Sequence, residues 1–258
     1  MRTLVLSAAL SLWAAMGQAS AVVDQLVEAM GIPALIQSFA TEGVEAGETI
    51  NQTVLNGQGG DIWAVTVQRL YDPARLEDEL RRGMSATLSP EVAAQALAFF
   101  DSDMGQRIIT LEVQARQAMM DDAVEAAAKQ AAARAGADVG AFLDLRDLVD
   151  RNTDAAINAQ AAFFDGLAET SGRAGDAPDF DAQRPAIATE TESWLRGYYA
   201  LVQSALQDDD FAVYTAFWDT EVGEAVDDAM FEAFGACYSA LSYGLGQAAG
   251  RLMPQNEL

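Results

Sequence analysis

Any chemistry in this chain has to be sought among carboxylates. Its 258 residues include 39 aspartates and glutamates, 15 lysines and arginines, one cysteine and no histidine. Without imidazole the commonest general base and metal ligand is gone, and with it every nucleophile triad that depends on one. Zinc and di-iron sites built on Glu-x-x-His or His-Glu-x-x-His are excluded for the same reason. Calcium or magnesium binding by oxygen ligands and carboxylate-pair hydrolysis are left. The densest acidic stretches are Asp208-Asp209-Asp210, Asp227-Asp228, and Asp176, Asp179 and Asp181. None has the EF-hand spacing with its glycine and closing glutamate. They read as solvated caps and helix faces. Carboxylate pairs for glycoside hydrolysis carry no cleft signature here. Gly-x-Ser-x-Gly is absent, and Gly57 to Gly60 is too short for a phosphate loop and follows no strand. Cys237, among Phe234, Ala236, Tyr238, Ala240 and Leu241, reads as a thiol on an apolar helix face with no basic neighbour to activate it. No catalytic, cofactor-binding or metal-binding residue is assigned, and the chain reads as a non-enzyme without cofactor.

The elements that would position any site are organised by a duplication. Ala98-Phe99-Phe100-Asp101-Ser102-Asp103-Met104-Gly105-Gln106-Arg107-Ile108 returns as Ala216-Phe217-Trp218-Asp219-Thr220-Glu221-Val222-Gly223-Glu224-Ala225-Val226, an offset of 118 residues from Ala98 to Ala216. Each copy reads as a corner between two helices. Either Ser102 or Asp103 can cap the following helix, and in the second case Asp103 with Gln106, and Glu221 with Glu224, form capping boxes. A glycine inside a helix costs about 1 kcal/mol relative to alanine, so Gly105 and Gly223 imply close approach of a backbone or aromatic ring, with a ligand as the sharper alternative. Beyond the corners, Met104, Ile108, Leu111, Ala115 and Ala118 correspond to Val222, Val226, Ala229, Ala233 and Ala236, each set at helical spacing. Glu112 is spaced to pair with Arg107 or Arg116.

Proline and glycine punctuate the rest. Helices are expected over Val22 to Met30, from Pro33 to about Leu55, after an Asp61 cap, and after Asp72-Pro73 and Ser89-Pro90. Ala141 to Thr170 is rich in helix formers, Ser171 to Asp179 reads as a linker, and Pro185 opens the approach to the second corner. Ala161-Ala162-Phe163-Phe164-Asp165-Gly166 weakly echoes a corner. The expected fold is all-α, a multi-helix bundle with two pseudo-repeated helix-corner-helix units, the first in 22–136, the second in 183–250, joined by 137–182 and followed by a tail at 251–258.

Met1-Arg2-Thr3, the apolar run Leu4 to Met16, and Gly17-Gln18-Ala19-Ser20-Ala21 have the three-part plan of a secretory signal peptide, cut after Ala21 or alternatively after Ala19. This predicts a periplasmic destination without a stable membrane anchor. A formal charge of −24 repels phosphate backbones and anionic headgroups, so nucleic acid is not an expected partner.

With these motifs the chain resembles the secreted bacterial proteins grouped as domain of unknown function 2059. Their hallmark is an aromatic pair, a hydroxyl residue, a variable step and Gly-Gln entering a long helix. The likeness rests on Thr87 to Met120 and Gln207 to Tyr243. The family's common proline after the hydroxyl residue is replaced here by Asp103 and Glu221. The resemblance implies an α-helical periplasmic domain and supplies no catalytic residues.

Two functions are compatible with these features. The one the sequence favours is a non-catalytic scaffold or protein-binding module contacting an envelope protein partner through a groove or exposed apolar face. The second is a carrier holding a lipid-like or other apolar ligand between helices, lined by Met and aromatic residues such as Trp194, Tyr198, Phe217 and Trp218. An enclosed apolar cavity of roughly 300 Å³ or more would favour the carrier.

Overall fold

The computed structural model describes residues 21–132, 137–171, 177–207 and 209–253; the expected signal peptide over 1–21, apart from Ala21, and the end of the chain from 254 lie outside the described residues. The described residues form helices and connecting turns with no strand. A first helix, α1, covers residues 21–29. Then follow α2 (Ile32–Thr53), α3 (Gly60–Leu70), α4 (Pro73–Thr87), α5 (Pro90–Phe100), α6 (Asp103–Ala118), α7 (Asp122–Ala132), α8 (Ala137–Leu145), α9 (Leu148–Ser171), α10 (Phe180–Ala205), α11 (Asp210–Trp218) and α12 (Glu221–Leu252).

Local chemistry sets most boundaries. The α1 helix ends at Gly31, whose φ of +66° suits a residue without a side chain. Asp72 and Ser89 each cap a helix whose first residue is proline, Asp72 accepting from Ala74 N at 2.9 Å and Ser89 from Val92 N at 3.3 Å. Two expectations fail, and a third stretch is divided. Asp61 lies in the first turn of α3 and caps nothing, because the helix already starts at Gly60. Pro185 sits inside α10, whose start is set five residues earlier by Asp179 accepting from Ala182 N at 3.0 Å. The helix-forming stretch Ala141 to Thr170 is broken at Asp147, which adopts φ +51° between α8 and α9.

Both corners take the same form. Ser102 Oγ donates to Phe99 O at 2.6 Å and accepts from Gly105 N at 3.1 Å; Thr220 Oγ1 donates to Phe217 O at 2.6 Å and accepts from Gly223 N at 3.0 Å. The hydroxyl residue is therefore the cap in both copies, and Gln106 instead bonds Ala29 O and Phe100 O. The glycines face the backbone of the preceding helix. A Cβ on Gly105 would lie 2.7 Å from Phe100 Cα, and one on Gly223 2.7 Å from Trp218 Cα. The protein itself fills that space, which leaves no room for a ligand there.

The long helices bury a face turned slightly from the expected one. Ala118, Ala236 and Ala240 are exposed, while Ile109, Glu112, Met119, Cys237 and Leu241 are buried. Helix α12 is central, with α9 alongside and α3, α4, α5 and α11 around it. Small residues bring α9 and α12 together. Cβ atoms on Gly166 and Gly246 would lie 2.9 Å from Gln247 N and Leu167 N respectively, and Thr170 Oγ1 donates across the seam to Gln247 O at 3.0 Å. The stretch around Phe163 and Phe164 that echoes a corner runs straight through this seam as continuous helix.

Candidate functional site

Two features combine at the centre of the molecule, a buried polar network and an apolar pocket. The network is built from acids that the sequence places on solvated faces. Glu112 is buried, accepts from the Tyr214 hydroxyl at 2.8 Å through Oε1, and its backbone carbonyl accepts from the Tyr198 hydroxyl at 3.1 Å. It pairs with neither predicted arginine: Arg107 reaches Asp210 at 3.4 Å and Arg116 reaches Glu42. Burial pushes the Glu112 carboxyl above the usual range, against the opposing pull of the Tyr214 hydrogen bond and the Arg146 charge.

Asp227 is likewise buried, while its neighbour Asp228 is exposed. Arg146 grips Asp227 side-on, with Nε at 3.1 Å from Oδ2 and Nη2 at 2.5 Å from Oδ1. The guanidinium also lies 3.7 Å from the centroid of the Trp218 ring and donates through Nη1 to the Tyr199 hydroxyl at 3.4 Å. Arg146 is delivered by the break between α8 and α9, where Asp147 turns the chain. Burial works against its charge, and Tyr199 and then Asp227 act the other way, so the guanidinium stays protonated.

Beside this network lies a partly open cavity of about 590 Å³ with a mainly apolar lining. Its walls come from five helices, with Arg116 added from α6. Ile36 and Phe39 of α2 and Leu76 and Leu80 of α4 form one side. Ala155 and Ala156 of α9 and Trp194, Leu195 and Tyr198 of α10 form another, and Met230, Phe231, Phe234 and Tyr238 of α12 close it. Trp194 stacks on Tyr198 with centroids 5.2 Å apart, and the Arg116 guanidinium lies 4.9 Å from the Trp194 centroid. Phe39 meets Tyr238 edge to face at 5.5 Å. Of the expected lining residues, Trp194 and Tyr198 are present, whereas Phe217 and Trp218 are held in the corner contact and do not border the cavity.

Gly235 also borders the cavity, in the middle of α12, and a Cβ there would meet nothing within 4 Å. It differs in this from Gly223 and Gly246 on the same helix, which are pressed against neighbouring backbone. Cys237 lines the cavity too, with Sγ 3.6 Å from Glu79 Oε2. Burial, reinforced by Glu79, pushes this thiol up to about 12, far from a reactive thiolate. Among the described residues no group of three or more His, Cys, Asp or Glu is placed to hold a metal ion, and no helix is long and apolar enough to cross a membrane.

Residues 74–134 match the family model of an uncharacterized protein conserved in bacteria, DUF2059. The likeness to DUF2059 is confined to this stretch, about a quarter of the chain. The stretch holds the first corner, with α4, α5 and α6, as the Phe99-Phe100 and Gly105-Gln106 pattern implies. The second stretch, Gln207 to Tyr243, lies outside the match, and its likeness to the first is one of sequence pattern and corner geometry. No curated protein and no solved structure matches the chain.

Proposed function

We propose that the protein is a non-catalytic periplasmic carrier or binder of an apolar small molecule, held between α2, α4, α9, α10 and α12. The observation that carries this reading is the vacant space over Gly235. Glycine within a helix is roughly 1 kcal/mol less stable than alanine, and at Gly235 no neighbour demands the smaller residue. A side chain would enter the cavity, so the glycine sacrifices stability to keep volume open. That volume, about 590 Å³, falls in the usual range for small-molecule sites of roughly 300 to 1,000 Å³. The aromatic and aliphatic lining supplies contact area, and the partial opening gives a ligand a way in.

Native mass spectrometry of the chain gently isolated from the periplasm tests the proposal. A retained small molecule, lost on mild denaturation, supports it, and bare protein argues against it.

One observation favours a protein-binding scaffold as a second reading. Ile62 and Val65 of α3 are 70% and 53% exposed, on the side of the helix away from buried Trp63 and Val67. Crosslinking in intact cells would trap an envelope partner at these positions.

A further inference from the structure

The lining of the cavity is apolar but not uniformly so, and its polar members differ in burial. Arg116, Asn152, Glu190 and Thr191 are half-buried or exposed and remain in reach of water. Arg146 and Tyr199 are only 8% and 7% exposed. A polar group that deep decides which ligands are accepted, because leaving it unpaired costs the full desolvation of that group.

The donor inventory of the pair is not exhausted. A guanidinium carries five N–H bonds. In Arg146, Nε–H and one Nη2–H go to Asp227 and one Nη1–H goes to the Tyr199 oxygen. Two N–H bonds, at the end of the guanidinium, have no partner among the described residues. Tyr199 accepts from Arg146, and its own O–H donates to nothing among the described residues. Tyr198, the other buried hydroxyl in the lining, is already committed to Glu112 O. The hydroxyl oxygens of Tyr198 and Tyr199 can also accept, but the unspent N–H groups of Arg146 can only donate, so the deepest charged group of the lining calls for an acceptor.

Charge narrows the complement further. The Arg146 charge is met by Asp227, which also lies 3.6 Å from Arg151, and Arg151 is itself paired with Asp228. No net positive charge is left for an anionic headgroup, and the chain as a whole carries −24.

We propose that the cavity accepts an uncharged, mainly apolar molecule bearing a carbonyl-type oxygen, and that this oxygen seats on the unpaired N–H groups of Arg146 and the O–H of Tyr199. This rests on the carrier reading given above. Aromatic walls hold the body of the molecule and the Arg146–Tyr199 pair fixes its direction.

Three probes of one shape test it: naphthalene, 2-acetylnaphthalene and 2-naphthoate, titrated into the full mature chain and followed by tryptophan fluorescence and calorimetry. The ketone should bind roughly tenfold tighter than naphthalene, the equivalent of about one net hydrogen bond, and tighter than the carboxylate. Tyr199→Phe should lower ketone affinity several-fold more than it alters naphthalene binding. Equal affinity for ketone and hydrocarbon, or tightest binding of the carboxylate, would overturn the inference and leave the carrier reading standing. Failure of all three probes to bind would remove the carrier reading as well. The ranking in the unaltered protein needs no variant, so it stands even if Tyr199→Phe folds poorly.

Discussion

The rings of Phe99 and Phe217 lie 4.2 Å apart, centroid to centroid, with their planes inclined by only 13°. They are equivalent positions of the two corners, so each corner packs on the other through the same residue, as parts related by an approximate two-fold axis do. Phe100 and Trp218, the next equivalent pair, meet behind them at 5.9 Å. Away from this contact the copies diverge in polarity. Ile109 corresponds to Asp227, and Glu112 to Met230. Each long helix thus brings one buried acid to the centre at a position where the other copy is apolar.

If the corners are physically equivalent, they should respond alike to the same change. Gly105→Ala and Gly223→Ala each press a methyl into the preceding backbone, and each should lower stability by about 1–3 kcal/mol. Ser102→Ala and Thr220→Ala remove a cap and should each cost about 1 kcal/mol. Urea unfolding of the four variants checks this, and a large effect at one corner with none at the other would break the equivalence.

Two glycines of α12 should behave in opposite ways. Gly246→Ala forces the α9–α12 seam apart, since its Cβ would lie 2.9 Å from Leu167 N. It should destabilise by about 1–3 kcal/mol. Gly235→Ala enters open space and should stabilise by up to about 1 kcal/mol through helix propensity alone. Thermal unfolding should move the two melting temperatures in opposite directions.

The raised Glu112 pKa fixes the sign of a pH effect. An unfolded glutamate ionises at its ordinary value, whereas folded Glu112 holds its proton to higher pH. Its contribution is therefore most favourable below the unfolded pKa and is lost as pH rises through the folded one. Glu112→Gln, which keeps an oxygen for the Tyr214 hydroxyl, should gain stability relative to the parent as pH is raised from about 4 to 7. A stability difference independent of pH would mean that Glu112 titrates normally.

Cys237 should be inert. With its pKa pushed up to about 12, labelling by iodoacetamide at pH 8 should run far below the rate of an exposed thiol and rise to that rate only in denaturant. Prompt labelling of the folded chain would show that the thiol ionises readily beside the cavity and would contradict its raised pKa.

The helical map could be read from the sequence because its signals are local. Asp72-Pro73 and Ser89-Pro90 each set a cap and a first turn within a few residues. Asp147 escaped notice because it enters the left-handed region with neither glycine nor proline to mark the break. The site was less visible for a different reason. Its wall joins Phe39 to Tyr238 and its polar floor joins Arg146 to Asp227, contacts set by packing of distant helices. Glu112 stands at surface ion-pair spacing from Arg116, yet tertiary packing turns it inward to Tyr214. Asp227 and Asp228 are adjacent in sequence, but about 100° apart around the helix, so one is buried and the other solvated.

Gly235 is proposed to keep a ligand cavity open. Titration of the neutral fluorophore N-phenyl-1-naphthylamine into the parent chain and into Gly235→Leu tests it most directly, with thermal unfolding of both run alongside. Saturable binding to the parent, with at least tenfold weaker binding to an equally or more stable Gly235→Leu, is the expected result. Undiminished binding to Gly235→Leu, or none to the parent, would contradict it.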